Sequence, residues 1–250
     1  MSKTVAIVQA RMGSTRFPGK MLALLDGRPI IEWVLHRVSL AKLVDTVVLA
    51  TSDLAQDDPL SEWAARLGVS VFRGSDADVL GRFAGAATIA KADNIIRICA
   101  DNPFIDALEI DRLIRYYYGH SCDYACNHQD LLGSGYADGF GAEIFTNSLL
   151  QQLASRLTKL RYREHATIYL WEHPEKFALH AVPAPSELAF PNLRFDVDLP
   201  QDLITLQKLA DAGVSIESTA VEIVSIALHS RYGVSADFSR ANSVICGEDC

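Results

Sequence analysis

The sequence predicts an α/β protein, a mostly parallel central sheet covered by helices in three layers. Three observations carry this. Short, nearly wholly apolar runs recur at residues 5–8, 46–50, 69–72 and 95–99, as expected of strands buried on both faces. Stretches with helical apolar spacing alternate with them, at 30–40, 60–66, 79–90 and 107–118. Polar clusters follow the strands: 11–20, Thr51-Ser52-Asp53, 73–75 and Asp101. In such sheets ligands sit beyond the carboxyl ends of the strands, so four distant segments are expected to meet at one cleft.

The first strand runs into Gln9-Ala10-Arg11-Met12-Gly13-Ser14-Thr15-Arg16-Phe17-Pro18-Gly19-Lys20, a loop with two glycines and three cations. Small residues let backbone N–H groups approach an anion, and Arg11, Arg16 and Lys20 supply fixed positive charge. That chemistry suits a triphosphate. The loop is not a P-loop: five residues separate Gly13 from Gly19, where that motif has four. Met21 stands where a Ser or Thr would hold magnesium, and Pro18 removes an N–H.

The first helix follows Pro29 and places Ile30, Ile31, Val34, Leu35 and Val38 on one face. After about residue 120 the pattern loosens. Gly133, Gly135, Gly139 and Gly141, with Tyr136 and Phe140 between, read either as an irregular loop shaping a substrate pocket or as a surface connection. A helix is expected over 157–171, strands over 177–182 and 192–197, and a helix over 200–212. A last amphipathic helix is expected over 216–232, and a polar tail over 240–250. The expected division is a domain of residues 1–215, with an inserted substrate and dimerisation segment at about 130–190, then a helix and tail at 216–250.

Net charge is −8, which argues against nucleic acid as the main partner and makes the cationic loop more notable. No apolar run reaches the roughly 18 residues of a membrane helix, and the start is too short for a signal peptide. The five cysteines, Cys99, Cys122, Cys126, Cys246 and Cys250, are odd in number and suggest reduced thiols in a cytoplasmic protein. A zinc site from the two C-x-x-x-C pairs is a remote alternative, and Cys99 reads as a core residue.

Asp101 and Asp198 are the natural carboxylate pair for a divalent cation, each after a predicted strand. Each has a plainer reading as a helix cap, before residues 104–108 and 200–212 respectively. Asp196 is a supplementary candidate, and Asp202 a weaker one. Lys20 and Arg11 would bind phosphates, and Arg16 is either a third phosphate ligand or a brace to an acidic neighbour. Gly13 offers a close N–H and Ser14 a hydroxyl; backbone groups at Ala10 and around Arg73, Gly74 and Ser75 are candidates to read a base.

The loop A-R-x-G-S-T-R-x-P-G-K resembles the signature of the CMP-sugar-acid synthetase, or acylneuraminate cytidylyltransferase, family. The likeness is to its spore-coat polysaccharide biosynthesis protein F type. Further blocks follow in the family's order: Phe72-Arg73-Gly74-Ser75 with Asp78-Val79-Leu80 and Arg82-Phe83, then Asp101-Asn102-Pro103, Gly141-Ala142-Glu143-Ile144-Phe145, Arg163-Glu164-His165, and 195–203. The resemblance implies a three-layer Rossmann-like nucleotidyltransferase fold, and magnesium at Asp101 and Asp198. It implies transfer of CMP from CTP to an acidic sugar or related acceptor, with Lys20, Arg11 and Asp101 catalytic and a homodimer. Glu143, Arg163 and His165 would then meet the acceptor. Alternatively Glu143 is a plain surface residue, and Arg163-Glu164-His165 is a dimer arm or a solvated charge pair. Two other activities remain open: nucleotidyl transfer to a sugar phosphate or phosphonate, and a non-catalytic nucleotide-binding subunit of polysaccharide assembly.

Overall fold

The structure is a computed structural model describing residues 2–127 and 132–230. Among these, seven strands form one sheet in the order β5-β4-β1-β6-β8-β7-β9. They are β1 (Thr4–Gln9), β4 (Thr46–Ser52), β5 (Ser70–Gly74), β6 (Asn94–Cys99), β7 (Tyr124–Cys126), β8 (Glu143–Thr146) and β9 (Leu179–Ala181). The first four of the order are mutually parallel, and β8 runs antiparallel to both its neighbours, β6 and β7. A two-stranded ribbon, β2 (Leu24–Leu25) and β3 (Arg28–Pro29), leads into α1 (Ile30–Ser39).

The alternation along β1 explains the layers. Ala6 and Val8 face a core closed by α1, α2 (Asp58–Arg66) and α4 (Ala107–Gly119). That core extends to α8 (Pro200–Asp211) and α9 (Ala220–His229). Val5 and Ile7 face the other core, closed by α3 (Val79–Ala90), α5 (Asn147–Arg156) and α7 (Ile168–Glu172). Side chains at period two therefore commit this strand to burial on both faces.

Helix starts are set by short polar side chains. Asp78 accepts from Gly81 N–H, and Asp106 from Leu108 and Glu109 N–H. Asp106 also accepts from Ala220 N–H, which pins the start of α9 to that of α4. Arg37, 3% exposed, donates to the carbonyls of Phe104, Ile105, Ile216 and Ser218 in the same corner.

Several expectations are corrected. The helix expected over 157–171 is two short helices, α6 (Leu160–Glu164) and α7, broken where His165 adopts an extended backbone. The break lets Ala166 and Leu170 both reach the core. The strand expected over 192–197 is no sheet strand. It makes one isolated bridge, Asp138 to Arg194, and crosses the sheet's end through Phe195 N to Asp138 O and Val197 N to Asp101 O. The last helix starts at Ala220 rather than 216; residues 231–232, the tail, Cys246 and Cys250 lie outside the described residues. Within the stretch 130–190, β8 and β9 belong to the central sheet.

Candidate active site

The loop after β1 folds back on itself: Ser14 N–H and Gly19 N–H both donate to Met12 O, and Phe17 N–H donates to Ser14 Oγ. Gly19 takes φ +73°, a left-handed conformation that glycine adopts without strain, and it turns the chain into a short 3-10 turn, Lys20–Leu22. The turn aims Lys20 across the end of the sheet. Its Nζ donates to Val197 O at 2.8 Å and lies 3.3 Å from Asp101 Oδ2 and 3.4 Å from Asp198 Oδ1. Burial would lower the lysine pKa, but the two aspartates overcome it and hold the pKa above its ordinary value. Arg16 reaches the same carboxylate, 3.1 Å from Asp198.

Neither aspartate is consumed as a cap. Asp106 caps α4, and Asp202 accepts from the N–H groups of Asp198 and Leu199 before α8. Two carboxylates that share one ammonium present oxygens toward a common cation position. That suits a hard divalent ion, which needs only one or two protein carboxylates. Among the described residues no group of three or more His, Cys, Asp or Glu side chains could hold a metal.

Beside it lies a second carboxylate cluster. Arg194 binds Asp196 through Nε at 3.0 Å and Nη2 at 2.6 Å, and lies 3.7 Å from Asp138. Burial first, and Asp138 second, push the Asp196 carboxyl up to about 7.

Other expected residues are placed as follows. Arg11, half exposed, pairs with Asp76 at 3.6 Å. The Ala10 N–H is taken by Ala50 O. Gly13 is exposed on the loop, and Gly74 ends β5 with its carbonyl accepting from Asp53 N–H. Ser75 is exposed, its carbonyl held by Arg82. Arg73 is engaged with protein, donating to Ser52 O, Leu54 O and the Asp58 carboxylate. Arg163 likewise grips Asp78 and the carbonyls of Ala154 and Leu157. Its guanidinium secures α6 against α3 and α5, so as an acceptor ligand it would have to leave these partners.

Glu143, fully buried, is no surface glutamate: it pairs with Arg97 across β6 and β8. His165 lies between α6 and α7. Burial lowers its pKa, and Arg97, Arg161 and Arg11 add to this against Glu164.

Sequence reasoning missed Asp57. It is buried, accepts from Met12 N–H at 2.7 Å, and binds Thr51 Oγ1 and Ser52 Oγ, bracing the phosphate loop to β4. No spacing announces it. Arg97 did carry a signal, a charge inside an otherwise apolar run.

A cationic loop after the first strand of a mostly parallel sheet, facing two carboxylates from later segments, defines a nucleotidyltransferase. Solved structures agree on the fold. CMP:2-keto-3-deoxy-manno-octonic acid synthetase, solved with CTP, superposes with TM-score 0.63 at 17% identity, covering 85% of this chain and 100% of its own. The chain belongs to the cytidylyltransferase family, whose model matches residues 5–222. It is similar to the spore coat polysaccharide biosynthesis protein SpsF of Bacillus subtilis, 33% identical over 233 residues, 90% of this chain and 94% of that protein. A cytidylyltransferase structure from Leptospira borgpetersenii superposes with TM-score 0.84 at 32% identity, covering 90% of this chain and 94% of its own.

Proposed function

We propose that this cytidylyltransferase moves CMP from CTP to an acidic sugar, releasing pyrophosphate, in surface polysaccharide synthesis. The carrying observation is the convergence of Lys20, Asp101 and Asp198 within 3.4 Å at the mouth of the phosphate loop. An acceptor hydroxyl oxygen forms the new bond to the α-phosphorus, and the bond to the pyrophosphate oxygen breaks. Lys20, Arg11 and Arg16 bind the triphosphate, and Lys20 offsets charge growing on the leaving pyrophosphate. Asp101 and Asp198 would hold magnesium, which stabilises phosphoryl oxygens and acidifies an attacking hydroxyl. Glu143 and His165 are the candidates to meet the acceptor, Glu143 once its pairing with Arg97 is opened. The polysaccharide role draws on the Bacillus relative, and the sugar-acid class on a 3-deoxy-manno-octulosonate cytidylyltransferase of Pelobacter propionicus, 38% identical over 111 residues.

The same reading includes a homodimer and a cytoplasmic setting. Leu160, exposed at the start of α6, supports pairing through the α6–α7 arm, and the CTP supply supports the cytoplasm. No helix among the described residues is long and apolar enough to cross a membrane.

The test is pyrophosphate release with CTP, magnesium and a panel of 2-keto sugar acids. Release with one acid is expected, and Asp101→Asn should abolish it while the fold persists. No release from any acid, together with no CTP-induced thermal shift, overturns the reading.

A further inference from the structure

Arg82 is buried and the Asp76 side chain is 35% exposed, and each carries buried polar atoms that lack a hydrogen-bond partner. The Arg82 side chain is 1% exposed. Its Nη1 donates to Ser75 O at 2.6 Å and Asp76 O at 2.7 Å, yet Nε and Nη2 are buried and meet no acceptor. Among the described residues it makes no ion pair, although Asp76, Asp57 and Asp78 all bear on it electrostatically. A buried guanidinium without a paired carboxylate is costly to keep.

Asp76 mirrors it. Its Oδ1 is buried and accepts no hydrogen bond; its counter-ion is Arg11 Nη1, at 3.6 Å. The Asp76 carboxylate thus pairs with one arginine while its backbone carbonyl is held by another. Arg11 is half exposed on the phosphate loop, and Arg82 is enclosed and already bound to the backbone of Asp76 itself.

We propose that Asp76 is a transferable counter-ion. It occupies Arg11 in the free enzyme and passes to Arg82 when a nucleoside triphosphate takes Arg11, so that Asp76 and Arg82 are positioning residues for nucleotide binding. This rests on the CTP reading above. Without such a transfer, triphosphate binding would strip Asp76 of its counter-ion and leave it facing phosphate oxygens of like charge. The receiving side is in place: Arg82 already holds the Asp76 carbonyl and has two donors to spare.

Asp76→Asn removes a competitor for Arg11 and a repelling charge, so CTP binds tighter, by about three- to tenfold. Arg82→Gln removes the receiving cation, so CTP binds weaker by a similar factor. In the double variant no carboxylate remains to be received, so CTP binds as it does to Asp76→Asn alone. If Arg82 only braced the Ser75–Asp76 turn, its loss would weaken CTP in both backgrounds.

The experiment is titration calorimetry of CTP with magnesium and no acceptor, on the full chain and the three variants. Should Arg82→Gln not fold, Asp76→Asn decides alone. An Asp76→Asn variant that binds CTP no tighter than wild type, or a double variant as weak as Arg82→Gln, overturns the proposal. Wild-type protein that binds no CTP overturns the functional reading and this proposal with it.

Discussion

Lys20 Nζ lies 3.3 Å from Asp101 Oδ2, although the two residues are 81 positions apart in the chain. If Asp101 and Asp198 hold a divalent cation, as proposed, Lys20 competes with it for the same oxygens in the free enzyme. Lys20→Met should therefore bind manganese more tightly in the absence of nucleotide, as read by paramagnetic resonance. The same variant should lose about 10²–10³ in kcat/KM, because a preorganised cation at the leaving phosphates is gone. Unchanged manganese affinity would remove Lys20 from the aspartates' shared position.

Arg163 holds α6 to Asp78, Ala154 and Leu157, and this makes it a structural anchor first. Arg163→Met should cost about 1–3 kcal/mol in urea unfolding, since the Ala154 and Leu157 carbonyls lose their donor and Asp78 its partner. Wild-type stability in that variant would show the contacts to be dispensable.

Asp196 sets a pH dependence. Its carboxyl is pushed up to about 7, so the folded protein holds this proton more firmly than the unfolded chain does. The stability it contributes is complete below about pH 3.9 and is lost as pH rises toward about 7. Asp196→Asn has no such loss. Its unfolding free energy should therefore gain on wild type between about pH 4.5 and about pH 7.5. A constant difference across that window would refute the assignment.

Cys99, half-buried at the end of β6, is pushed up to about 12, first by loss of solvent and then by Asp101 and Glu143, with Arg97 and Lys20 opposing. Thiolate is the reactive form. Iodoacetamide at about pH 8 should modify Cys99 at least about 100-fold more slowly in the folded protein than in urea. Peptide mapping by mass spectrometry reads the ratio.

Legibility differs sharply between the two halves of the sequence. β1, β4 and β6 are buried on both faces or nearly so, and their apolar runs show it; β5, at the edge of the sheet, is half-buried and still carries an apolar run. β7 and β8 are three and four residues long, too short for any periodicity, and β8 opens on a charged residue, Glu143. Residues 192–197 alternate like a strand, but their backbone groups pair with Asp138 and Asp101 at the sheet's end rather than with a neighbouring strand. Of the site, the cations of the loop and the two aspartates stand out by position. Asp57, Asp76 and Arg194 do not, because what each does depends on a backbone group or charge brought near only by folding.

The hydrogen bond from Lys20 Nζ to Val197 O joins residues 177 apart. A ribosome adding about 5–20 residues per second needs roughly 10 to 35 seconds between them. Through that interval the emerging chain has its cationic loop but neither Asp198 nor the carbonyl that steadies the lysine. A nascent or truncated chain could grip a nucleotide's phosphates without the means to part them. On the proposed reading, turnover waits for residue 198, and a chain stalled before it spends no nucleotide.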